Sequence, residues 1–426
     1  MAKLSSDTVC VNVFADWDGL SEATHVGELL ATSGTNGVDF TFRYASEWIN
    51  YTQMNPVSLD PQLRLDSSPQ FHDQKQHNFS FLLDSSPDRW GRQLIAKKEA
   101  LNHRAKPLNE LDFLLSVSDY TRCGALRFKI GDGQFLDNSS NPVPPIASLR
   151  DLQFASHELE KEGSEDNPEY GKLLQKLVDP GSSLGGARPK ANVIDEKNRL
   201  WIAKFPSAND MVNKGAWEMV MHELASLCGI STPPAQVFKF SGEYHTYLSK
   251  RFDRIDDNKR IHFASAMTLL ARIDGENHNS GASYLDFIDI ISTIGSNPVE
   301  DLNQLWRRIV FFICVSNTDD HLRNHGFLLT TKGWRLSPVY DVNPNASGSG
   351  LTLNIDEKSN ALSLDLAAQV APFFHIPTKD VSVIIGEIVK SVKQWRKFAL
   401  KYGISRLEQE QMAAAFKVSE SVTVFS

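Results

Sequence analysis

A carboxylate at Asp319, a carboxamide at Asn324 and a second carboxylate at Asp341 form the most chemically pointed pattern in this sequence. Those residue types, at that spacing, suit phosphoryl transfer. Asp319 can accept the proton of an attacking hydroxyl, while Asn324 and Asp341 offer hard oxygens to the magnesium ions that bridge nucleotide phosphates. Asx-rich segments more often hold turns and caps through local side-chain to backbone bonds, so the Asp-x4-Asn pair alone decides little. The residues that follow shift the balance. Gly326–Leu329 and Trp334–Leu336 read as short strands around Thr330-Thr331-Lys332-Gly333, so a hairpin returns the chain to Ser337-Pro338-Val339-Tyr340-Asp341.

Farther upstream, Gly181-Ser182-Ser183-Leu184-Gly185-Gly186-Ala187-Arg188-Pro189-Lys190 joins glycines, which allow close backbone approach, to two cations. Its amides can bind phosphate oxygens. The stretch matches neither Walker A nor the dinucleotide fingerprint, and alone it reads as an ordinary loop more often than a ligand site. Lys204 ends the apolar strand Leu200–Lys204, where a phosphate partner would explain it; snorkelling to solvent is the plain alternative. Helix Ala216–Cys228 carries Glu218 and Glu223, either of which can orient Lys204, with Glu218 preferred. Tyr247–Arg254 reads as a strand running into a charged segment that can present backbone groups and Phe252 to adenine. Asp253 is expected to pair with Arg251 or Arg254.

The elements that must position these groups belong to an ordinary globular chain of 426 residues, 41% hydrophobic and 23% charged. A net charge of −8 argues against an autonomous nucleic-acid binder, which needs a basic surplus. Cys10, Cys123, Cys228 and Cys314 are widely spaced, which suggests reduced thiols rather than a zinc knuckle or a disulfide framework. No apolar run spans a bilayer and Met1–Asp7 has no signal core, so a soluble cytoplasmic protein is expected.

Thr8–Phe42 alternates like strands, with turns at Asp18-Gly19 and Asn36-Gly37, and helical spacing follows Ser86-Pro87-Asp88-Arg89. Asp132–Ile146 reads as a linker. Beyond it lie a helix over Leu149–Glu162 and strands at Ala191–Ile194 and Leu200–Lys204. Leu305, Ile309, Phe312 and Ile313 form a packing stripe leading into the Asp319 segment, Ser347–Gly350 should be a flexible turn, and Val381–Tyr402 and Ser405–Phe416 look helical. The expected domains are 1–146, 147–255 and 256–426.

Taken together, Ser183–Lys190, Ala203-Lys204-Phe205-Pro206, Arg251-Phe252-Asp253-Arg254, Asn317-Thr318-Asp319-Asp320-His321-Leu322-Arg323-Asn324 and Pro338-Val339-Tyr340-Asp341 closely resemble the HipA family of bacterial serine/threonine kinases. Leu83–Arg92 and Gly124–Phe128 are similar to that family's amino-terminal region. The resemblance implies an α+β, bilobal protein-kinase-like fold with a small β-rich N-terminal subdomain and an α-helical C-terminal lobe. It implies an ATP- and Mg2+-dependent serine/threonine kinase acting as the toxin of a toxin–antitoxin pair, inhibiting translation and growth and inactivated by autophosphorylation of its ATP loop.

Carried over by motif, Asp319 is the catalytic base, Asn324 and Asp341 bind magnesium, and Lys204 contacts nucleotide phosphate. Gly185, Gly186, Ala187, Arg188, Pro189 and Lys190 form the ATP loop, Lys250, Arg251 and Phe252 the adenine hinge, and His321 and Tyr340 lie near the nucleotide. Ser183 matches the autophosphorylated serine, with Ser182 as the alternative. The partners implied are a HipB-like helix-turn-helix antitoxin dimer, operator DNA reached mainly through that dimer, and a translation-related protein substrate such as an aminoacyl-tRNA synthetase; no membrane is implied. Two other readings stand beside this one: a catalytically weak corepressor or scaffold bound to a DNA-binding antitoxin, and a metal hydrolase using Asp319, Asp320 and His321, which would gain little from the glycine loop. The kinase reading requires Lys204, Asp319, Asn324 and Asp341 to serve one triphosphate and its metals.

Overall fold

The computed structural model describes residues 8–34, 37–51, 57–136, 142–181, 183, 186–240, 242–255 and 258–422. Gly185 of the ATP loop, the alternative serine Ser182 and Asn36 of an expected turn lie outside the described residues. By compactness the chain forms two units, Met1–Ala208 with Asp253–Ala264, and Asn209–Phe252 with Ser265–Ser426.

In the first unit, five antiparallel strands lie in the order β4-β3-β2-β1-β5: β1 Thr8–Ala15, β2 Thr24–Gly34, β3 Gly37–Tyr44, β4 Gln70–Phe71 and β5 Leu126–Ile130. Alternation does the work here, because Val11, Val13 and Ala15 fall on the buried face of β1 while their neighbours stay partly exposed. The same unit holds helix Arg89–Leu101, capped by Asp88, against which helix Tyr170–Gly181 packs. The described end of the expected linker is bonded rather than free: Ile194 N donates to Pro144 O at 3.0 Å. An otherwise unsatisfied strand-end amide thereby finds an acceptor. The hairpin Lys190–Ile194 and Leu200–Lys204 turns through Asn198, whose φ of 56° suits Asn.

The second unit is built on helix Pro298–Val315, which starts with Pro at its first turn and Glu300 and Asp301 near its positive end. Helices Asp286–Ile294, Leu364–Val370 and Thr378–Val392 pack around it, and its stripe residues Leu305, Ile309, Phe312 and Ile313 are all buried. A second group joins helix Lys214–Leu227 to the hairpin Ala235–Phe238 and Thr246–Lys250. The single helix expected over Val381–Tyr402 is two, Thr378–Val392 and Trp395–Lys401. The break at Lys393-Gln394 accompanies the stacking of Trp395 on Phe416 at 4.2 Å between ring centroids, a contact that outweighs one more helical turn. None of the four cysteines forms a disulfide, and no helix among the described residues is long and apolar enough to cross a membrane.

Candidate active site

Helix Pro298–Val315 ends where Ser316 takes a left-handed conformation, φ 49°, and Ser316 Oγ donates to Ala415 O at 2.9 Å. That turn starts a segment whose side chains are tied down in sequence. Asn317 Oδ1 accepts the Asn343 amide at 3.0 Å; Thr318 Oγ1 accepts Asn345 Nδ2 at 2.7 Å, and Thr318 O accepts the Thr352 hydroxyl at 2.8 Å. Gly348 is required beside Thr318, because a Cβ there would collide with the threonine side chain. The turn expected to be flexible is thus closely packed at this point.

Asp319 is exposed, whereas Asp320 is only 2% exposed. Asp320 Oδ2 accepts the Tyr284 hydroxyl at 2.6 Å and lies 2.7 Å from His325 Nε2. The carbonyl of Asp319 accepts His321 N and Asn324 Nδ2, both at 3.0 Å. With its amide nitrogen so held, Asn324 has its Oδ1 left for another partner, the atom a magnesium ion would use. Asp341 follows the hairpin Gly326–Thr330 and Gly333–Leu336 and sits at φ 57°, a left-handed conformation that Asp tolerates better than most residues. The donor set fits a hard divalent cation. It does not fit the hydrolase reading, since Asp320 is turned into the core away from Asp319; among the described residues no three His, Cys, Asp or Glu side chains are grouped to hold a metal.

The same unit brings other expected nucleotide residues together. Tyr340 donates its hydroxyl to Arg323 O at 2.7 Å, and its ring meets Phe252 at 5.5 Å. Lys250 ends its strand with its amide on Pro234 O at 2.9 Å, Arg251 is buried, and His321 is half-buried. Burial pushes the Tyr247 hydroxyl well above its ordinary pKa, and the Glu218 and Asp341 carboxylates push the same way, which puts both acids near this strand. Glu223 is committed elsewhere: Lys401 Nζ reaches it at 2.6 Å and the Tyr402 hydroxyl at 2.5 Å. Glu218 is the carboxylate left of that pair.

In the first unit, Gly186 adopts φ 78°, its amide donates to Asp88 Oδ2 at 2.7 Å, and a Cβ on it would stand 2.6 Å from Lys190 Nζ. The Lys190 side chain could give way, so it is the left-handed φ that favours glycine here. Lys190 and Lys204 are direct cross-strand partners. Like charges so placed repel, and a phosphate between them would reverse the sign of that term. Arg188 Nη2 donates to Phe205 O at 3.2 Å and Pro189 O accepts Phe205 N at 2.9 Å, while Ala187 lies between them and Gly186. Ser183 is 5% exposed, and its Oγ accepts Asn192 Nδ2 at 2.9 Å. Asp253 pairs with Arg254, at 2.8 Å, and also accepts the Gly124 amide.

Sequence reasoning missed Asp88, Asn192, Asp320, Tyr284 and His325 as supports of these groups. The only signal for them was the amino-terminal motif containing Asp88 and the position of Asp320 next to Asp319.

With this geometry, the molecule takes its place among known structures. HipA of Shewanella oneidensis MR-1, solved with HipB and its operator DNA, matches at a TM-score of 0.68 and 18% identity over 95% of either chain, which gives the class: a kinase-like α+β fold. CtkA, a proinflammatory kinase of Helicobacter pylori, matches at a TM-score of only 0.34 and 13% identity, over 54% of this chain and 94% of its own, too distant to add to that. A Haemophilus influenzae protein named "Putative kinase" is 27% identical over 231 residues, 46% of this chain and 66% of its own length, so the match spans just under two thirds of that relative. The HipA-like C-terminal domain matches residues 182–396 and the HipA N-terminal domain residues 20–129. The chain belongs to the HipA family.

Proposed function

We propose that this protein is an ATP- and Mg2+-dependent serine/threonine kinase that acts as the toxin of a toxin–antitoxin pair, with a HipB-like DNA-binding dimer as its antitoxin and a protein of translation as its substrate. The observation that carries the chemical part is the opposite orientation of two adjacent acids: Asp320 is held in the core and Asp319 is exposed on a carbonyl shared by His321 and Asn324. An exposed carboxylate on a fixed backbone is what a general base needs.

In this reading Asp319 takes the proton of a substrate serine or threonine hydroxyl. The hydroxyl oxygen bonds to the γ-phosphorus as the bond to the β–γ bridging oxygen breaks, and ADP leaves. Lys190, Lys204 and the Gly186 amide would hold phosphate oxygens, and Asn324 Oδ1 and Asp341 would hold the metal. Bound Mg2+ would supply neutralisation of the charge on the phosphates. Phe252 and Tyr340 flank the base. Self-phosphorylation at Ser183 would add nearly two negative charges to the glycine loop and draw it out of its phosphate-binding shape. The HipA–HipB–DNA assembly of the Shewanella protein supports the antitoxin and operator partners.

The test is labelled ATP with purified protein, with and without Mg2+, followed by mapping of modified residues. Wild type should incorporate phosphate only with Mg2+, and Asp319→Ala should lose roughly 10²–10⁴-fold of the rate with an unchanged melting curve. Full incorporation by Asp319→Ala would remove its role, and tight antitoxin binding without any transfer by wild type would leave the corepressor reading.

A further inference from the structure

We propose that Asp320 is a positioning residue, and that its clamp by Tyr284 and His325 is what turns Asp319 outward and aims Asn324. Its catalytic consequence rests on the kinase reading above. Asp319 and Asp320 are consecutive residues of one tight turn, closed by His321 N on Asp319 O, so anchoring one side chain fixes the backbone that carries its neighbour. Here the anchor is deep. Tyr284 and His325 are fully buried, and their rings meet edge to face at 5.8 Å. His325 is further wedged by Phe287 at 5.0 Å and Phe312 at 6.2 Å, both nearly perpendicular to it or steeply tilted. Tyr284 is tied by its amide to Asn354 O at 3.0 Å. Neither partner can follow a carboxylate that moves.

A buried cation also lies near Asp320. Arg308, on helix Pro298–Val315, is fully buried and donates to Ser337 O. Burial pulls its pKa down to about 10, and the Asp320 carboxylate opposes that shift. Asp320 therefore has two hydrogen-bonding groups and a nearby cation, whereas a rotated side chain would leave all three without it. From Asp320 the constraint passes along the backbone. The Asp319 carbonyl is left facing His321 N and Asn324 Nδ2, so one buried acid sets the direction of both the base and the amide ligand.

The experiment uses the full chain. Asp320→Asn should lower kcat about a hundredfold, the size of a misplaced reacting group, with KM for ATP changed by less than about threefold. Tyr284→Phe should lower kcat about tenfold, and the double variant should be no slower than Asp320→Asn alone, because the two residues act as one device. Hydrogen exchange should quicken at the amides of residues 318–324 while the hairpin Gly326–Leu336 stays protected.

An unchanged kcat, an additive double variant, or loss of protection throughout the unit would overturn the proposal. Should Asp320→Asn not fold, Tyr284→Phe, which keeps the ring, carries the same tests. Should wild type transfer no phosphate, the kinase reading falls by itself. The exchange of the His321 and Asn324 amides in Asp320→Asn then decides the positioning role, faster exchange supporting it and unchanged exchange overturning it.

Discussion

The glycine loop around Gly186 and the segment around Asp319 are fastened in opposite ways. Among the described residues of the loop, separate bonds meet its backbone or one hydroxyl: Gly186 N on Asp88 Oδ2, Gly186 O on Trp90 N at 3.1 Å, Lys190 O on Trp90 Nε1 at 2.9 Å, and Ser183 Oγ on Asn192 Nδ2. The Asp319 segment is held by a connected group of side chains, in which Asp320 binds both Tyr284 and His325. Each loop bond is worth about 1 kcal/mol and can be exchanged singly. A buried network is lost only as a whole. On the proposed kinase reading, an amide set on a carboxylate oxygen would exchange it for a phosphate oxygen, and the difference would suit one region to binding and release and the other to fixed catalytic geometry.

The largest effect expected from a single change lies in the fixed region. Asp341→Asn keeps a residue type that accepts the left-handed φ of 57°, so the fold should hold while the carboxylate proposed to hold the metal is lost. Phosphate transfer should fall on the order of 10²–10³-fold with a melting temperature like that of wild type. Activity near the wild-type level would break the catalytic half of the comparison. Asp341→Ala is the poorer probe, since it adds backbone strain of about 1 kcal/mol to the same loss.

In the sequence the two regions were legible to the same depth. The Asp-x4-Asn spacing and the hairpin after it were readable because the chemistry fixes the side chains and the turn fixes the strands; the strands observed, Gly326–Thr330 and Gly333–Leu336, lie within a residue of those expected. Lys190–Ile194 and Leu200–Lys204 were equally plain. What could not be read was long-range. Asp88 meets Gly186 across 98 positions and Tyr284 meets Asp320 across 36, and no local pattern announces either. Glu218 and Glu223 share a helix and a residue type, and only the position of Lys401 separates them. The break at Lys393-Gln394 was hidden because both sides of it favour helix, and stacking of Trp395 depends on a distant Phe416.

Acid sharpens the comparison by loosening the unit that carries the loop. His262 is buried there, stacked on Trp17 at 4.9 Å, and burial drives its pKa down to about 3. Unfolded, the imidazole titrates near 6.5, so below that pH the unfolded chain takes a proton the folded unit refuses. Stability is full above about pH 6.5 and falls as pH drops towards 3, by about 2 kcal/mol between pH 7 and pH 5 from this group. His262→Phe, which keeps a ring against Trp17, should flatten that acid limb in urea titrations at the two pH values. An equally steep limb in the variant would assign the acid sensitivity to other groups.

The smallest effect tests the loop's exchangeable fastening directly. Ser183 cannot be phosphorylated where it stands, because its hydroxyl is buried and holds the Asn192 amide, which also donates to Pro180 O at 2.8 Å. The proposed modification would have to draw on a minor population in which the serine has left, and that population would grow when a bond retaining it is removed. Asn192→Ala deletes one bond to Ser183, worth about 1 kcal/mol, so self-phosphorylation should quicken about fivefold, read by mass spectrometry of the loop with Ser183→Ala as the unreactive control. The lost bond to Pro180 O loosens the same stretch and acts in the same direction. Transfer to an added substrate should be altered less than self-modification, since the Asp319 segment is untouched. A self-phosphorylation rate equal to that of wild type would mean that departure of Ser183 does not limit the reaction, and the contrast between an exchangeable loop and a fixed catalytic segment would then lose its kinetic meaning.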